Sequence, residues 1–292
     1  MDEWVTAFGH YLIKRGIPVN PAAYKYLPTY DIDIAYSHLH KGEIRTAGAM
    51  VRSASKGKMH EIKDRIKTVT GRQADPFDSF DWISGIHLKL NIKPLFFWLC
   101  AISTSAFDKN ISPDHPAMKS LISRLSGNFD CGLHPSYFSD KGSRLTEEKN
   151  KLECMVGNHI QASRQHYIRF HFPHTCHLLL EHGITDDYTM GYGSHLGFRA
   201  GTGSSFMWFD LDKNAVSTLR LHPFCFMDTT AHYELNLDVE TSFRKLKEME
   251  TLLKQNNSTL VTIFHNFSLG SATEWKGWKQ QYELFLQNTA NK

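Results

Sequence analysis

Short apolar segments alternate with longer amphipathic ones along almost the whole chain, which is the pattern of a parallel sheet or barrel covered by helices. Seven segments read as strands, at 27–35, 94–101, 128–134, 160–169, 185–188, 218–222 and 259–265. Helices are predicted over 58–70, 77–90, 113–125, 146–156, 175–182, 239–255 and 273–287. The third of these has Ser112 as its N-cap and Pro113 at the first helical position. In the sixth, Val239, Phe243, Leu246 and Leu253 recur at helical spacing, and in the last Trp275, Trp278, Tyr282 and Phe285 share one face, expected as core. The stretch 36–57, basic and rich in Gly, Ala and Ser, fits neither period and is expected as a loop over the end of the first strand. No repeat and no Pro, Gly or Ser-rich linker divides the chain, so residues 1–26 read as an N-terminal extension and 27–292 as one domain.

Composition narrows the partners. With 292 residues, 41% hydrophobic and 22% charged, the chain has globular proportions and can bury a sizeable core. Lys and Arg number 33 against 30 Asp and Glu, net +3, with no polybasic run, which argues against nucleic acid. The longest apolar run, 94–102, is nine residues, far short of the roughly 20 needed to span a bilayer. No integral membrane segment is expected. The first residues, acidic at positions 2 and 3, lack the basic and apolar regions of a signal peptide, so a cytoplasmic location is expected. Five widely spaced cysteines without a CxxC pair are expected reduced and mostly buried. Histidine is abundant, 17 residues, which permits a metal site without proving one.

Four constellations could carry chemistry. In PTYDIDIAY, Asp31 and Asp33 are one residue apart and would point the same way from an extended strand, so they could share a cation or divide base and ligand roles. A strand ending in a polar turn accounts for them equally well. In FDCGLHPSYFSD, His134 leaves a strand between Gly132 and Pro135, placed for a metal or for a surface turn. In ASRQHYIRF, Arg164 and His166 fall on one face of an expected strand, as functional groups or as a structural salt bridge. In LVTIFHNFSLG, an apolar strand ends in His265 and Asn266, suited to general acid work or to a satisfied core histidine. All four stand at the C-terminal ends of expected strands, where an α/β barrel gathers its chemistry.

Through these motifs the sequence resembles the polysaccharide deacetylases of the NodB-type carbohydrate esterase family, in a divergent bacterial branch, from about Leu27 to Phe285. The resemblance implies a distorted (β/α)7 barrel and makes 27–292 the catalytic domain. TYDIDIA is similar to the family's first motif, with Asp31 as catalytic base and Asp33 as metal ligand. KPLFFWL resembles the strand before the metal-histidine motif, and CGLHPSY that motif, with His134 as ligand. ASRQHY falls where the family has the arginine that orients the base, here Arg164. IFHN resembles the last motif, whose histidine protonates the leaving group, here His265. The usual second histidine, four residues after the first, is replaced by Phe138. His166 is therefore the expected third ligand, with His38 and His40 as the fallback. Where the family has prolines, Arg164 is followed by Gln165, His166 and Tyr167. The segment containing Asp187, Tyr188, Arg199 and a Gly-rich turn resembles a hallmark of the branch. Arg199, Asp187 and Tyr137 are expected on the substrate side, with a structural ion pair as the other role for Arg199.

The implied activity is metal-assisted hydrolysis of an N-acetyl group on a sugar or polysaccharide, releasing acetate and a free amine. Zinc is expected for an Asp-His-His set, and cobalt, nickel or iron would suit the same ligands. A backbone N–H near Tyr137 would help hold the oxyanion. Two other readings compete: a nucleotide-sugar glycosyltransferase using the DxD pair, and a non-catalytic relic of the deacetylase fold that has lost its second metal histidine and only binds glycan or a partner protein.

Overall fold

A computed structural model describes residues 1–290. Its strands are β1 (Lys25–Ile32), β2 (Leu95–Trp98), β3 (Asp130–Leu133), β4 (Ala162–Ser163), β5 (Asp186–Asp187), β6 (Phe206–Asp210), β7 (Ala215–Leu221), β8 (Phe226–Met227) and β9 (Thr259–His265). They form one sheet in the order β6-β7-β5-β4-β3-β2-β1-β9-β8, parallel throughout except for the β6–β7 hairpin. The helices are α1 (Asp2–Lys14), α2 (Glu43–Ser55), α3 (Met59–Val69), α4 (Phe80–Leu90), α5 (Pro116–Ser126), α6 (Arg144–Val156), α7 (His174–Glu181), α8 (Val239–Gln255) and α9 (Trp278–Ala290). The protein is therefore a mixed α/β chain with a curled, mainly parallel sheet, the distorted barrel class the motifs implied.

Alternation along β2 shows how the sheet divides the core. Phe96 and Trp98 join the large apolar cluster beneath the helices, while Leu95 and Phe97 face the barrel interior with Tyr188, Phe224, Val261 and Ile263. The aromatic stripe Trp275, Trp278, Tyr282 and Phe285 is buried as expected, although a 3₁₀ turn (Thr273–Trp275) precedes α9. Cys100, Cys176 and Cys225 are buried and all five cysteines are free.

Residues 36–57 are not simply a loop, since α2 occupies Glu43–Ser55, and the N-terminal stretch contains α1. Neither helix buries an apolar side chain, so the periodic core signal is weak in both. Helix α5 starts three residues later than expected, at the second proline of SPDHP: His115 Nδ1 accepts from Ala117 N at 3.1 Å and Pro116 takes the first position. Strands β6 and β8 had no clear period in the sequence. The strand expected over 160–169 ends at Ser163, and a 3₁₀ turn follows at His166–Ile168.

Strand β1, which carries Asp31, is fixed from behind by a buried polar network. Tyr30 Oη lies 2.6 Å from His87 Nε2 and 3.0 Å from Tyr282 Oη, tying β1 to α4 and α9. Burial pushes His87 down from its ordinary 6.5 to about 4. The unfolded chain therefore binds this proton more tightly than the folded one. Its stabilising effect is intact above about 6.5 and is lost as pH falls toward 4. Urea unfolding at about pH 7 and about pH 5 should show wild type losing about 2 kcal/mol more than His87→Gln. Equal losses would mean that His87 is protonated in the folded protein.

Candidate active site

Strand register brings the expected residues together. Asp31 pairs with His265 across β1 and β9, and Leu133 pairs with Ser163, so His134 and Arg164 emerge side by side one residue later. Asp33 follows just beyond β1. Asp31, Asp33, His134, His166 and His265 all line one cavity of about 460 Å³, completed in part by Tyr167, Ile168, Thr230, Tyr233 and Phe267. That volume lies within the ordinary range for a small-molecule site.

Arg164 lies beneath the cavity, behind Asp31. It is fully buried, donates from Nη1 to Asp31 Oδ1 and to Thr29 Oγ1, both at 2.7 Å, and from Nε to the Tyr188 carbonyl at 3.0 Å. Its guanidinium lies 4.4 Å from the centre of the Phe97 ring. Charge, hydrogen bonds and aromatic face together hold Asp31 in one orientation, with Oδ2 turned toward His134 Nε2 at 4.0 Å.

The histidines are locked by their outer nitrogens. His134 Nδ1 lies 2.5 Å from the Arg164 carbonyl, which can only accept, so Nδ1 carries the proton and Nε2 faces the cavity. His166 Nδ1 donates to Asp108 Oδ1 at 3.0 Å, and His265 Nδ1 to Asp228 Oδ1 at 2.7 Å. Asp228 Oδ2 also accepts the backbone N–H of His265 at 2.7 Å. Sequence reading missed both aspartates. Asp228 follows a two-residue strand, and Asp108 sits in a long connection with no period, so neither carried a local signal.

Three of these groups fit a cation. Asp33, His134 and His166 each offer a ligand atom, all within 4.8 Å of one another. Asp33 Oδ1 is buried without a hydrogen-bond partner although His134 Nε2 lies 3.0 Å away, and Asp33 Oδ2 is 3.5 Å from His166 Nε2. Acceptors converging on one point in a buried place call for a positive charge between them. Hydrogen-bonded outer nitrogens are the usual way a protein presents imidazole to a metal. Protonation reflects the same crowding. Burial lowers the affinity of His166 for a proton, but Asp33 and then Asp108 outweigh it and raise the value to about 9. For His265 burial is likewise outweighed, chiefly by Asp228 and then by Asp33 and Asp31, again to about 9. A cation among Asp33, His134 and His166 would compete with the proton that His166 otherwise holds.

His166 reaches this position by a turn rather than by strand alternation. Tyr167 and Ile168 take left-handed backbone angles, φ 57° and 54°. For an aromatic and a β-branched residue such angles cost about 1–3 kcal/mol each. The strained pair sits in the cavity wall.

Other expected residues lie elsewhere. Asp187 is fully buried, accepting from Ser163 Oγ and from the N–H and hydroxyl of Thr189; burial pushes its carboxyl up to about 6. Arg199 sits half-buried in a turn closed by Gly201 N and the Phe198 carbonyl. Tyr137 stacks on Phe107 with ring centres 3.8 Å apart, and its N–H already donates to Asp108 Oδ1 at 3.0 Å, so it is not a free oxyanion donor. None of the three lines the cavity. His38 and His40 are also away from it: His40 packs between Tyr36 and His115, and His38 Nδ1 lies 3.3 Å from its neighbour's hydroxyl, Ser37 Oγ. Phe138, at the usual place of the second histidine, packs edge-on against Tyr137 and Phe107.

Neither a protein-family profile nor a curated protein sequence matches the chain. Solved structures do. A Mycobacterium smegmatis protein assigned as a polysaccharide deacetylase is similar with a TM-score of 0.57 at 14% identity, over 94% of this chain and 89% of the other. Puue allantoinase gives a TM-score of 0.56 at 10% identity, over 93% and 85%. A Pseudomonas aeruginosa PAO1 protein assigned as a polysaccharide deacetylase gives 0.56 at 10% identity, over 96% and 91%. At these identities the likeness speaks for architecture, and it spans nearly the whole chain: this protein has the polysaccharide deacetylase fold.

Proposed function

We propose that this protein is a metal-dependent hydrolase that removes an acetyl or related acyl group from the nitrogen of a sugar, alone or in a polysaccharide. The carrying observation is the placement, in one cavity, of an oriented carboxylate, a buried Asp-His-His cluster and a second oriented histidine. Asp33, His134 and His166 would hold the ion, zinc first, with cobalt, nickel or iron suited to the same donors. A divalent ion there supplies Lewis acidity toward the acyl oxygen and the attacking water.

The chain's own residues divide the proton work. Asp31, fixed by Arg164, accepts a proton from water as the water oxygen bonds to the acyl carbon. His265, fixed by Asp228 and protonated at neutral pH, gives a proton to the nitrogen as the carbon–nitrogen bond breaks. Acetate and a free amine leave. Base and acid both flank Asp33, with His265 Nε2 3.6 Å from its Oδ2. Thr229, Thr230, Ser194 and Tyr233 in the wall offer hydroxyls to a sugar.

The glycosyltransferase reading loses support, because no Lys or Arg among the described residues lines the cavity to meet a diphosphate. A relic without metal leaves the facing acceptors around Asp33 unexplained. The test is incubation of the zinc-loaded protein with N-acetylglucosamine oligomers, assaying free acetate and new amines together. The expected result is release of both in equal amounts, stopped by a chelator and restored by zinc or cobalt. Transfer of a sugar from a nucleotide donor, with no acetate formed, would overturn the proposal.

A further inference from the structure

The connection between β1 and α4 carries the helical pair α2–α3, whose two helices pack on each other. Ser53 and Thr68 are the pair's only buried residues. On α2, Ile44, Ala47, Gly48, Val51 and Ala54 recur at helical spacing and are all exposed, Ile44 at 90% and Val51 at 70%. On α3, Met59 and Ile66 are exposed one heptad apart. Single exposed apolar side chains are ordinary, but a continuous stripe along a helix needs a partner.

Charge points to that partner's chemistry. Residues 41–72 contain nine Lys and Arg against Glu43, Glu61 and Asp64, a net +6 in a chain whose total is only +3. The remainder of the protein is therefore net negative. Within this stretch only Lys58 has a salt bridge, to Glu61. Arg45 and Arg52 lie beside the apolar stripe, each one residue from a stripe position, Ile44 and Val51.

We infer that α2–α3 docks on an anionic bilayer surface, with Ile44 and Val51 entering the headgroup boundary and the flanking Arg and Lys residues meeting lipid phosphates. A second copy of the chain would set +6 against +6 and repel. A nucleic acid would meet the charge but leave the apolar stripe in water. An anionic bilayer meets both. The pair follows directly from the strand bearing Asp31, and Arg45 Nη2 lies 3.4 Å from the carbonyl of Lys109, the neighbour of the Asp108 that holds His166. Docking would thus bring the rim of the site to the membrane. The inference stands on the surface alone and not on the hydrolase reading.

The test is co-sedimentation of the full chain with vesicles of phosphatidylcholine, and of phosphatidylcholine containing one third phosphatidylglycerol, at low and high salt. Binding should be about tenfold or more tighter on the anionic vesicles and should fall steeply with salt. Ile44→Ser/Val51→Ser, at exposed positions away from the cavity, should weaken it about tenfold with the net charge unchanged. Arg52→Glu/Lys56→Glu should abolish it. No binding to anionic vesicles would overturn the inference. So would vesicle binding untouched by Ile44→Ser/Val51→Ser, or self-association of the wild type that this variant dissolves in the absence of vesicle binding.

Discussion

Asp31→Asn is expected to lower kcat for acyl release by about 10³-fold while the protein still takes up its metal. The asparagine keeps the shape of the side chain and can still accept from Arg164, but it cannot take a proton from water. Asp31 is not among the three converging donors, since its Oδ2 stands 4.0 Å from His134 Nε2 whereas Asp33 Oδ1 stands at 3.0 Å. Steady-state acetate release measured beside metal content separates the two roles. Full activity in Asp31→Asn would remove Asp31 as the base. Loss of metal together with activity would make it a ligand.

Arg164→Met should produce the largest loss of stability of any single change in the site, about 3–5 kcal/mol by urea unfolding. Arg164 is fully buried, and its removal leaves the Asp31 carboxylate without its counter-charge and Thr29 and the Tyr188 carbonyl without their donor. In the double variant Asp31→Asn/Arg164→Met no buried charge is left alone, so a large part of the stability should return. The Phe97 ring, 4.4 Å from the guanidinium, would pack on the methionine instead. Strict additivity of the two changes would mean that the pair is not coupled.

Much of this candidate site was legible in the sequence because most of its residues stand at strand ends. TYDID, GLH, SR and FHN each join an apolar run to a polar group, and parallel register then places the ends of β1, β3, β4 and β9 side by side. His166 was legible as a residue and not as a geometry. The sequence suggested a strand, and the chain instead makes a turn with two left-handed residues that no alternation rule anticipates. Asp108 and Asp228 were invisible because each acts through a contact distant in sequence, 58 residues in one case and 37 in the other. Asp187 was expected on the substrate side because its segment resembles a hallmark of the branch, whereas Ser163 and Thr189 satisfy its carboxylate inside the sheet. The amphipathic α2 escaped notice because three of the five residues in its stripe are small, so its period was faint until the fold showed which positions stay exposed.

The proposed chemistry depends on Asp33, His134 and His166 forming one metal site. Elemental analysis of purified, zinc-loaded wild type beside Asp33→Ala, His134→Ala and His166→Ala tests it without any substrate. About one ion per chain is expected in the wild type, lost in all three variants. A wild type that takes up no ion, or a His166→Ala variant that keeps it, would contradict the Asp33-His134-His166 site.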